Sequence, residues 1–384
     1  MTLHARAAVV FLAALPISTA FANVMLLVLA LTALLQGKSM RHVIVKRLQT
    51  KFALVAMVFV AWNALSLMWS QDVLGGIEGL KAQRLLLLPL FWPAGGSTNW
   101  RFGLLLGTAL AGVASLLAVV GLVLPGVEVF DDRVVPFQHP IVLGVLCAAG
   151  LVLALDAWGM ASLGRRLAIA ALAALTLCAL LLSGSRTGLL ATLAAVPISL
   201  VMLHRRVQIA ALAGAVLAVP VGLWQHDILE DRWSDAWQEL GQWRESPETS
   251  VGWRVAALDA AWEVGTQRLW IGQGYGGVRS AVPVDHPVRA QAERFASDRE
   301  GTPLNLHNTW ANAFARTGAI GVLLLMAVCG CATSVVLRSD SIHQSSGLGV
   351  LAVWGVLGLF DAGLGTGVTL AILALAVAGR ECLK

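Results

Sequence analysis

The feature that most constrains this chain is a recurring series of apolar runs, each about 17 to 25 residues long and nearly free of charge. A helix rises about 1.5 Å per residue, so runs of this length match the roughly 30 Å hydrocarbon core of a bilayer. Leu, Ala and Val fill the runs on all sides, whereas barrel strands alternate apolar and polar residues. The mean hydropathy of +0.77 is too high for a water-soluble domain. The sequence therefore predicts an all-α, polytopic membrane protein.

The apolar runs predict about twelve transmembrane helices. Two short runs within residues 7–35 are separated near Pro16 and Asn23, and we expect them to form a tight helical hairpin. The alternative is a cleaved signal peptide, because the Ala-Phe-Ala sequence at 20–22 resembles a signal-peptidase site after a basic start. The ten further spans are predicted near residues 53–69, 84–95, 102–124, 140–157, 167–183, 187–203, 207–224, 318–337, 346–360 and 364–379.

Basic residues in the short turns predict the orientation of these helices. The densest basic cluster in a short loop lies between Lys38 and Lys51, which marks that loop as cytoplasmic under the positive-inside rule. Both termini are predicted on the same side. The net charge of +5 is then explained by loop arginines and lysines, and no nucleic-acid partner is indicated. The other basic turns predicted inside hold Arg101, Arg165, Arg166, Arg205, Arg206 and Arg338.

The predicted organisation has three parts. Residues 1–224 carry nine transmembrane helices, residues 225–306 form one long outer loop, and residues 307–384 hold a helix beginning at His307 and the last three spans. Eight of the fourteen tryptophans lie from position 224 to position 310. Tryptophan prefers the headgroup region, so we expect the outer loop to form interfacial helices rather than a separate soluble domain.

The sequence HNTWANAFARTG, from His307 to Gly318, places a polar segment directly before a long apolar run. Read as a helix, it has an apolar face and a polar stripe beside it. A histidine at this boundary is either a catalytic base or a residue that caps the helix start, and the residues alone leave both readings open. The apolar face holds His307, Ala311, Phe314 and Gly318, and the polar stripe holds Asn308, Asn312 and Arg316.

Arg186 lies in the sequence SGSRTG, at the predicted outer turn between two apolar runs. An arginine at this depth is costly beside lipid and favourable beside an anion. Two glycines allow a close approach of backbone or ligand, and three hydroxyl groups add donors, so the turn is a candidate phosphate cradle. The alternative is an interfacial arginine that snorkels to the surface. The flanking residues are Ser183, Gly184, Ser185, Thr187 and Gly188.

A second candidate anion ligand is Arg254. It lies on an interfacial helix predicted from the N-cap Ser250 to about Gly265, with Leu258 and Trp262 on the same face. A guanidinium binds phosphate oxygens with two parallel N–H groups and keeps its charge, although a solvated surface charge is the competing reading.

The remaining candidates favour neither a cofactor nor a metal. The glycines from Gly272 to Gly277 surround Tyr275 but follow no predicted strand, so they indicate a tight turn beneath the site rather than a dinucleotide site. Asp131 and Asp132 lack the further carboxylates or histidines that a metal requires. The five cysteines support neither a disulfide framework nor a zinc site.

Three motifs in order resemble the signature regions of the O-antigen ligase and O-antigen polymerase superfamily: SGSRTGLLA, WRVAALDAAWEVGTQRLWIGQGYGG and HNTWANAFARTG. The resemblance implies an inverting, metal-independent glycosyltransferase of the GT-C type, in the bacterial inner membrane with its site facing the periplasm. It would transfer O-antigen glycan from undecaprenyl pyrophosphate to lipid A-core oligosaccharide. By motif match, Arg186 and Arg254 would bind the pyrophosphate and His307 would assist the attacking hydroxyl. The supporting residues would be Ser185, Asn308, Gly274, Tyr275 and Arg316.

The chain departs from this family pattern at two positions. Ala311 stands where leucine is usual, and Arg316 stands where many relatives have glutamate, which removes one candidate acid. A repeat-unit polymerase of the same superfamily is the nearest alternative. A lipid-linked glycan transporter would place charges near the bilayer midplane, whereas nearly every charge here lies at a predicted membrane face.

Overall fold

The computed structural model describes residues 2–93, 100–130, 133–159, 161–201, 234–235, 237–245, 247, 249–289, 304–339, 341–360 and 367–378. This part of the chain is mostly α-helical, which confirms the predicted all-α polytopic class. The helices are α1 Leu3–Ala14, α2 Thr19–Leu35, α3 Lys38–Leu48, α4 Lys51–Leu65, α5 Val73–Leu80, α6 Arg101–Val119, α7 Pro140–Gly159, α8 Leu163–Leu182, α9 Arg186–Val201, α10 Ser250–Gln267, α11 Val278–Ala281, α12 Thr309–Leu337, α13 Ser341–Phe360 and α14 Gly367–Val377. Two 3-10 helices cover Ser66–Trp69 and Lys81–Phe91, and the antiparallel strands β1 Val127–Phe130 and β2 Arg133–Pro136 form one hairpin.

Within the described ranges, six helices are long and apolar enough to cross a membrane. They are α4 with its following 3-10 turn, α6, α7, α8, α12 and most of α13; the bent pair of α2 and α3 makes a seventh if counted as one span. The predicted total of twelve therefore stays a prediction. The predicted span 207–224 lies outside the described residues.

The N-terminal apolar runs form the expected helical hairpin, because α1 packs against α2. The break falls at Pro16 rather than at Asn23, which lies inside α2. Ser18 explains the restart, since its side chain accepts a hydrogen bond from the Phe21 N–H as the N-cap of α2. The basic cluster that follows is itself largely helical, as α3, instead of a loop.

Two predicted spans need correction. The described part of the span 84–95 does not form an α-helix: a 3-10 helix covers Lys81–Phe91, contains Pro89 and packs against α14. Gln83 within it is buried and bonds to Asn63 and Tyr275, so polar partners as well as buried leucines hold this element in place. The predicted span 102–124 ends earlier, at Val119, where the chain turns toward the β-hairpin.

Close helix contacts depend on small residues, as membrane helix packing generally does. A Cβ atom added to Gly112 of α6 would lie 2.0 Å from the carbonyl oxygen of Leu175 in α8. One turn away, the hydroxyls of Thr108 and Thr176 bond at 2.9 Å across the same interface. Glycine and threonine therefore hold α6 and α8 at a separation that larger side chains would prevent.

A second, smaller core lies beside the start of α12. It combines the alanine face of α10 with Leu304, Leu306 and the first turns of α12. Helix α10 begins at the N-cap Thr249, one residue before the predicted cap, and ends at Gln267. Its outward side chains include Leu258 and Trp262. Helix α10 thus packs against α12 of the membrane bundle.

Candidate functional site

The carboxyl end of α13 brings two predicted site residues together. Arg254 Nε donates to the carbonyl oxygen of Phe360 at 3.2 Å, and Asn308 Nδ2 donates to the carbonyl oxygen of Leu359 at 3.0 Å. The last carbonyls of a helix have no partner within the helix and carry partial negative charge, so they suit such donors. We call this the His307 end of the bundle, where α13 finishes and α12 begins.

His307 directly precedes α12 instead of lying on its face, which corrects the helical reading of the motif. Asn308 is the N-cap, and its side-chain oxygen accepts hydrogen bonds from the N–H groups of Trp310 and Ala311 at 2.9 Å. His307 has a φ of 47°, in the left-handed region. Its ring meets the ring of Trp253 edge to face, with 6.2 Å between the centroids. Trp253 directly precedes Arg254 in the sequence, so this contact places His307 beside the part of α10 that carries the second arginine.

Arg186 lies at the same end of the bundle. Ser199 of α9 and Ser345 of α13 each donate a hydroxyl to the other's carbonyl oxygen, at 3.4 and 2.8 Å. Ser199 is near the end of its helix and Ser345 is near the start of its own, so the two packed helices run antiparallel. At 1.5 Å per residue, Arg186 lies about 20 Å from Ser199 along α9, and Phe360 lies about 22 Å from Ser345 along α13 in the same direction. The two residues therefore lie at the same end of the helix pair.

The turn before Arg186 is tight, as predicted, but its hydroxyls have structural partners. Ser185 is 3% exposed, and its Oγ accepts the Gly188 N–H at 3.1 Å as a helix cap. Gly188 faces the backbone of α7, since a Cβ added there would lie 2.6 Å from the Gly144 Cα. The close approach that Gly188 permits is therefore between helices. Arg186, half-buried at the first position of α9, is the side chain of this turn best suited to an anion.

Tyr275 and Arg316 form a buried pair beneath this end. The guanidinium carbon of Arg316 lies 4.8 Å from the centre of the Tyr275 ring, and both residues are 1% exposed. The Tyr275 hydroxyl accepts an N–H from Gln83 at 3.1 Å, and the Tyr275 N–H donates to Ser66 Oγ at 3.1 Å. This pair connects α12 to the first half of the chain.

The glycine-rich turn after α10 fills a break in α12. Gly318 has φ 67° and ψ −166°, which interrupts the helix. The Gly274 N–H donates to the Arg316 carbonyl at 2.9 Å, and the Ala319 N–H donates to the Leu269 carbonyl at 2.8 Å. The turn is tight, as predicted, and it satisfies backbone groups that the broken helix leaves open. Its place beneath a functional site stays a prediction.

Residues 171–326, from α8 into α12, match the family model described as O-Antigen ligase. This segment belongs to the O-antigen ligase superfamily. It includes all three motifs, and the match supports a function of the O-antigen ligase or polymerase type. A comparison with curated proteins gives no match.

Among the described residues of this O-antigen ligase-like protein, no group of three or more His, Cys, Asp and Glu side chains could hold a metal ion. The pair Asp131 and Asp132 lies outside those residues. Arginine carries its charge without a metal, so the predicted anion-binding role of Arg186 and Arg254 requires none.

Sequence reasoning missed three features of the candidate site: the ring of Trp253, the last two carbonyls of α13, and the break at Gly318. The adjacency of Trp253 to Arg254 was a usable signal for the first. The residues at the end of α13 gave no sequence signal, because the role of their carbonyl groups depends on which element packs against them. Gly318 was visible, but a single glycine in an apolar run has several structural uses.

Proposed function

We propose that the protein is an inverting, metal-independent glycosyltransferase of the GT-C type that acts at the periplasmic face of the bacterial inner membrane. It transfers O-antigen glycan from undecaprenyl pyrophosphate to lipid A-core oligosaccharide. The observation that carries the proposal is the meeting of Arg254, Asn308 and the His307–Trp253 contact around the carboxyl end of α13. Arg186 reaches the same end through the antiparallel packing of α9 and α13.

In this proposal, Arg186 and Arg254 bind the donor pyrophosphate. Its negative charge increases as the bond between the sugar and the phosphate breaks, and fixed cations in a partly dehydrated site stabilise that charge. Arg186 begins α9, so the helix N-terminus adds partial positive charge beside the guanidinium. The Arg254 guanidinium is oriented through its Nε bond to Phe360. Ser185 supports the donor site indirectly, by capping the helix that Arg186 begins.

His307 is the proposed general base. The acceptor hydroxyl oxygen attacks the anomeric carbon, the proton moves to an imidazole nitrogen, and the bond from that carbon to the pyrophosphate oxygen breaks. The electron pair leaves with undecaprenyl pyrophosphate, and attack opposite the leaving group inverts the anomeric configuration. The next residue, Asn308, caps α12 and donates to the Leu359 carbonyl, so the backbone beside His307 is fixed at the start of this helix. The ring of Trp253 limits the directions open to the His307 ring.

The surface beside the site fits a membrane boundary. Trp262 is 68% exposed and stacks on Phe314 of α12 with 5.9 Å between ring centroids. Leu269 and Trp270, in the turn after α10, and Leu323 of α12 are exposed apolar side chains as well. Tryptophans at the edge of an apolar surface are typical of the headgroup zone, so we propose that residues 225–306 lie on the membrane.

The distribution of basic residues supports a periplasmic site. Gln138, just before α7, donates to the Leu15 carbonyl in the α1–α2 turn, so this turn lies near the start of α7 and hence near the Arg186 end. Helix α2 then leads away from that end to the basic helix α3. Under the positive-inside rule the α3 end is cytoplasmic, and the opposite end with His307 is periplasmic.

The proposal is tested with purified His307→Ala protein and its matched control His343→Ala, which makes the same change at the other end of α13. Glycan transfer from undecaprenyl pyrophosphate, normalised to monodisperse protein, should fall about 10² to 10⁴-fold in the first variant. Transfer should stay near wild type in the control. Near-normal turnover by His307→Ala would remove the proposed base.

The acceptor distinguishes ligase from polymerase. In parallel reactions, the same donor is offered with lipid A-core oligosaccharide or with a second lipid-linked repeat unit. A ligase forms product only with lipid A-core. Elongation of the lipid-linked glycan without transfer to lipid A-core would replace the ligase assignment with a repeat-unit polymerase.

A further inference from the structure

The three residues before His307 fold back along the first turns of α12. Leu304 and Leu306 point into the small core beside α10, and both are buried. Their backbone groups bond to side chains farther along α12: the Leu306 N–H donates to Asn312 Oδ1 at 3.3 Å, and the Leu304 carbonyl accepts from Arg316 Nη2 at 2.9 Å. The position of His307 is therefore set by side chains one and two turns below it.

Asn312 is completely buried, and its amide bonds on both sides. Its Oδ1 accepts the Leu306 N–H, while its Nδ2 donates to the Asn308 carbonyl at 2.8 Å and to Asn305 Oδ1 at 3.4 Å. Asn305 Oδ1 also accepts the His307 N–H at 2.9 Å. A buried amide whose groups are all bonded fixes its partners, because any other arrangement leaves a polar group unsatisfied.

Arg316 anchors the beginning of the folded-back segment. It is 1% exposed, lies over the Tyr275 ring and donates to Leu304. No described carboxylate forms an ion pair with this guanidinium. A buried cation is costly unless nearby groups stabilise its charge. Here the Tyr275 ring face and the Leu304 carbonyl oxygen are those groups. A glutamate at this position would lack the N–H groups needed to make this contact with Leu304.

We propose that Asn305, Asn312 and Arg316 are positioning residues that hold His307 in its left-handed conformation, an inference that rests on the proposed role of His307 as the base. Non-glycine residues seldom adopt a φ of 47°, and the surrounding contacts must maintain it. The bonds at Leu304, Leu306 and the His307 N–H supply that constraint. All three bonds involve backbone groups of the segment and not the imidazole ring.

The first test uses Asn305, the least buried of the three. Asn305→Ala removes the oxygen that accepts the His307 N–H, whereas Asn305→Asp keeps it. We expect Asn305→Ala to lower kcat about 10- to 100-fold with KM for the lipid-linked donor changed less than about threefold, and Asn305→Asp to recover most of the loss. Equal activity of Asn305→Ala and wild type would overturn the proposal.

The second test measures backbone hydrogen exchange in the 304–308 segment by mass spectrometry. Arg316→Met and Asn305→Ala should exchange about tenfold faster there, Arg316→Lys should stay close to wild type, and Arg338→Met serves as the matched control at the far end of α12. Unchanged exchange in both Arg316→Met and Asn305→Ala would overturn the proposed constraint without any measurement of activity.

A double-variant cycle separates this inference from the proposed function. If Asn305 acts through His307, adding Asn305→Ala to His307→Ala causes no further loss of transfer. A further 10- to 100-fold loss in that background would overturn the positioning role while leaving His307 as the base. Full activity of His307→Ala alone would instead remove the proposed function.

Discussion

Gly318→Ala should destabilise the protein strongly, because this residue occupies a conformation and a space that only glycine fits. Its φ of 67° and ψ of −166° lie in a region that other residues almost never adopt. A Cβ atom at this position would lie 2.3 Å from the Trp270 carbonyl carbon and 2.5 Å from the Ile271 nitrogen. Both neighbours are backbone atoms, so neither can rotate away.

Two effects add to the expected cost. Forcing a side chain into this φ/ψ region costs about 1 to 3 kcal/mol. Moving the 269–274 turn away to relieve the overlap costs a further 1 to 3 kcal/mol or so, on the scale of overpacking in a core. The same movement strains the bonds from Ala319 to Leu269 and from Gln273 to Ala315. We expect a total loss of roughly 2 to 6 kcal/mol in the free energy of unfolding.

The measurement is thermal unfolding of purified protein in detergent, with Gly330→Ala as the matched control. Gly330 lies on the same helix, and nothing lies within 4 Å of a Cβ added there, so alanine should leave Tm unchanged or raise it through better helix propensity. Gly318→Ala should lower Tm by several degrees and reduce transfer activity. An unchanged Tm in Gly318→Ala would refute the close packing of turn and helix.

Three further predictions concern the proposed site and its orientation. Arg186→Lys and Arg254→Lys should each raise KM for the lipid-linked donor or lower kcat, since an ammonium lacks the planar pair of donors; full activity in both would leave only a point charge. Glycan transfer should continue in excess EDTA, because arginines neutralise the donor in this proposal; activity lost in EDTA and restored by Mg²⁺ or Mn²⁺ would contradict it. In intact cells, a membrane-impermeant thiol reagent should label a cysteine placed at Leu240 and spare one placed at Ile44, and the reverse pattern would invert the proposed topology.

Hydropathy located several helices to within a few residues because burial in lipid acts on each run separately. The predicted spans 53–69, 140–157 and 167–183 correspond to Lys51–Trp69, α7 and α8. The requirement for an apolar run of suitable length is local, so it can be recognised in a short stretch of sequence. The 3-10 helix at Lys81–Phe91 was not predicted, because hydropathy carries no information on contacts between residues distant in sequence, such as those from Gln83 to Asn63 and Tyr275.

The motifs identified the residues of the candidate site but not their geometry. Reading the His307 motif as one helix placed the histidine on a helical face, whereas Asn308 caps α12 and leaves His307 outside it. Asparagine is both an acceptable helix residue and a preferred N-cap, and the choice depends here on the bond from its amide to Leu359. The role of Ser185 also depends on the local structure, because its hydroxyl oxygen accepts the Gly188 N–H of α9.

The antiparallel packing of α9 and α13 gives the two arginines of the proposed donor site different surroundings. At the His307 end, α9 presents its N-terminus and α13 presents its carboxyl end. Arg186 therefore adds to a helix end that already carries partial positive charge, whereas Arg254 lies against carbonyl oxygens of opposite sign. In the proposed reaction, the first arrangement favours binding of the diphosphate charge, and the second holds a guanidinium in a fixed direction beside Trp253 and His307. The division of roles thus follows from helix direction, which the sequence motifs do not encode.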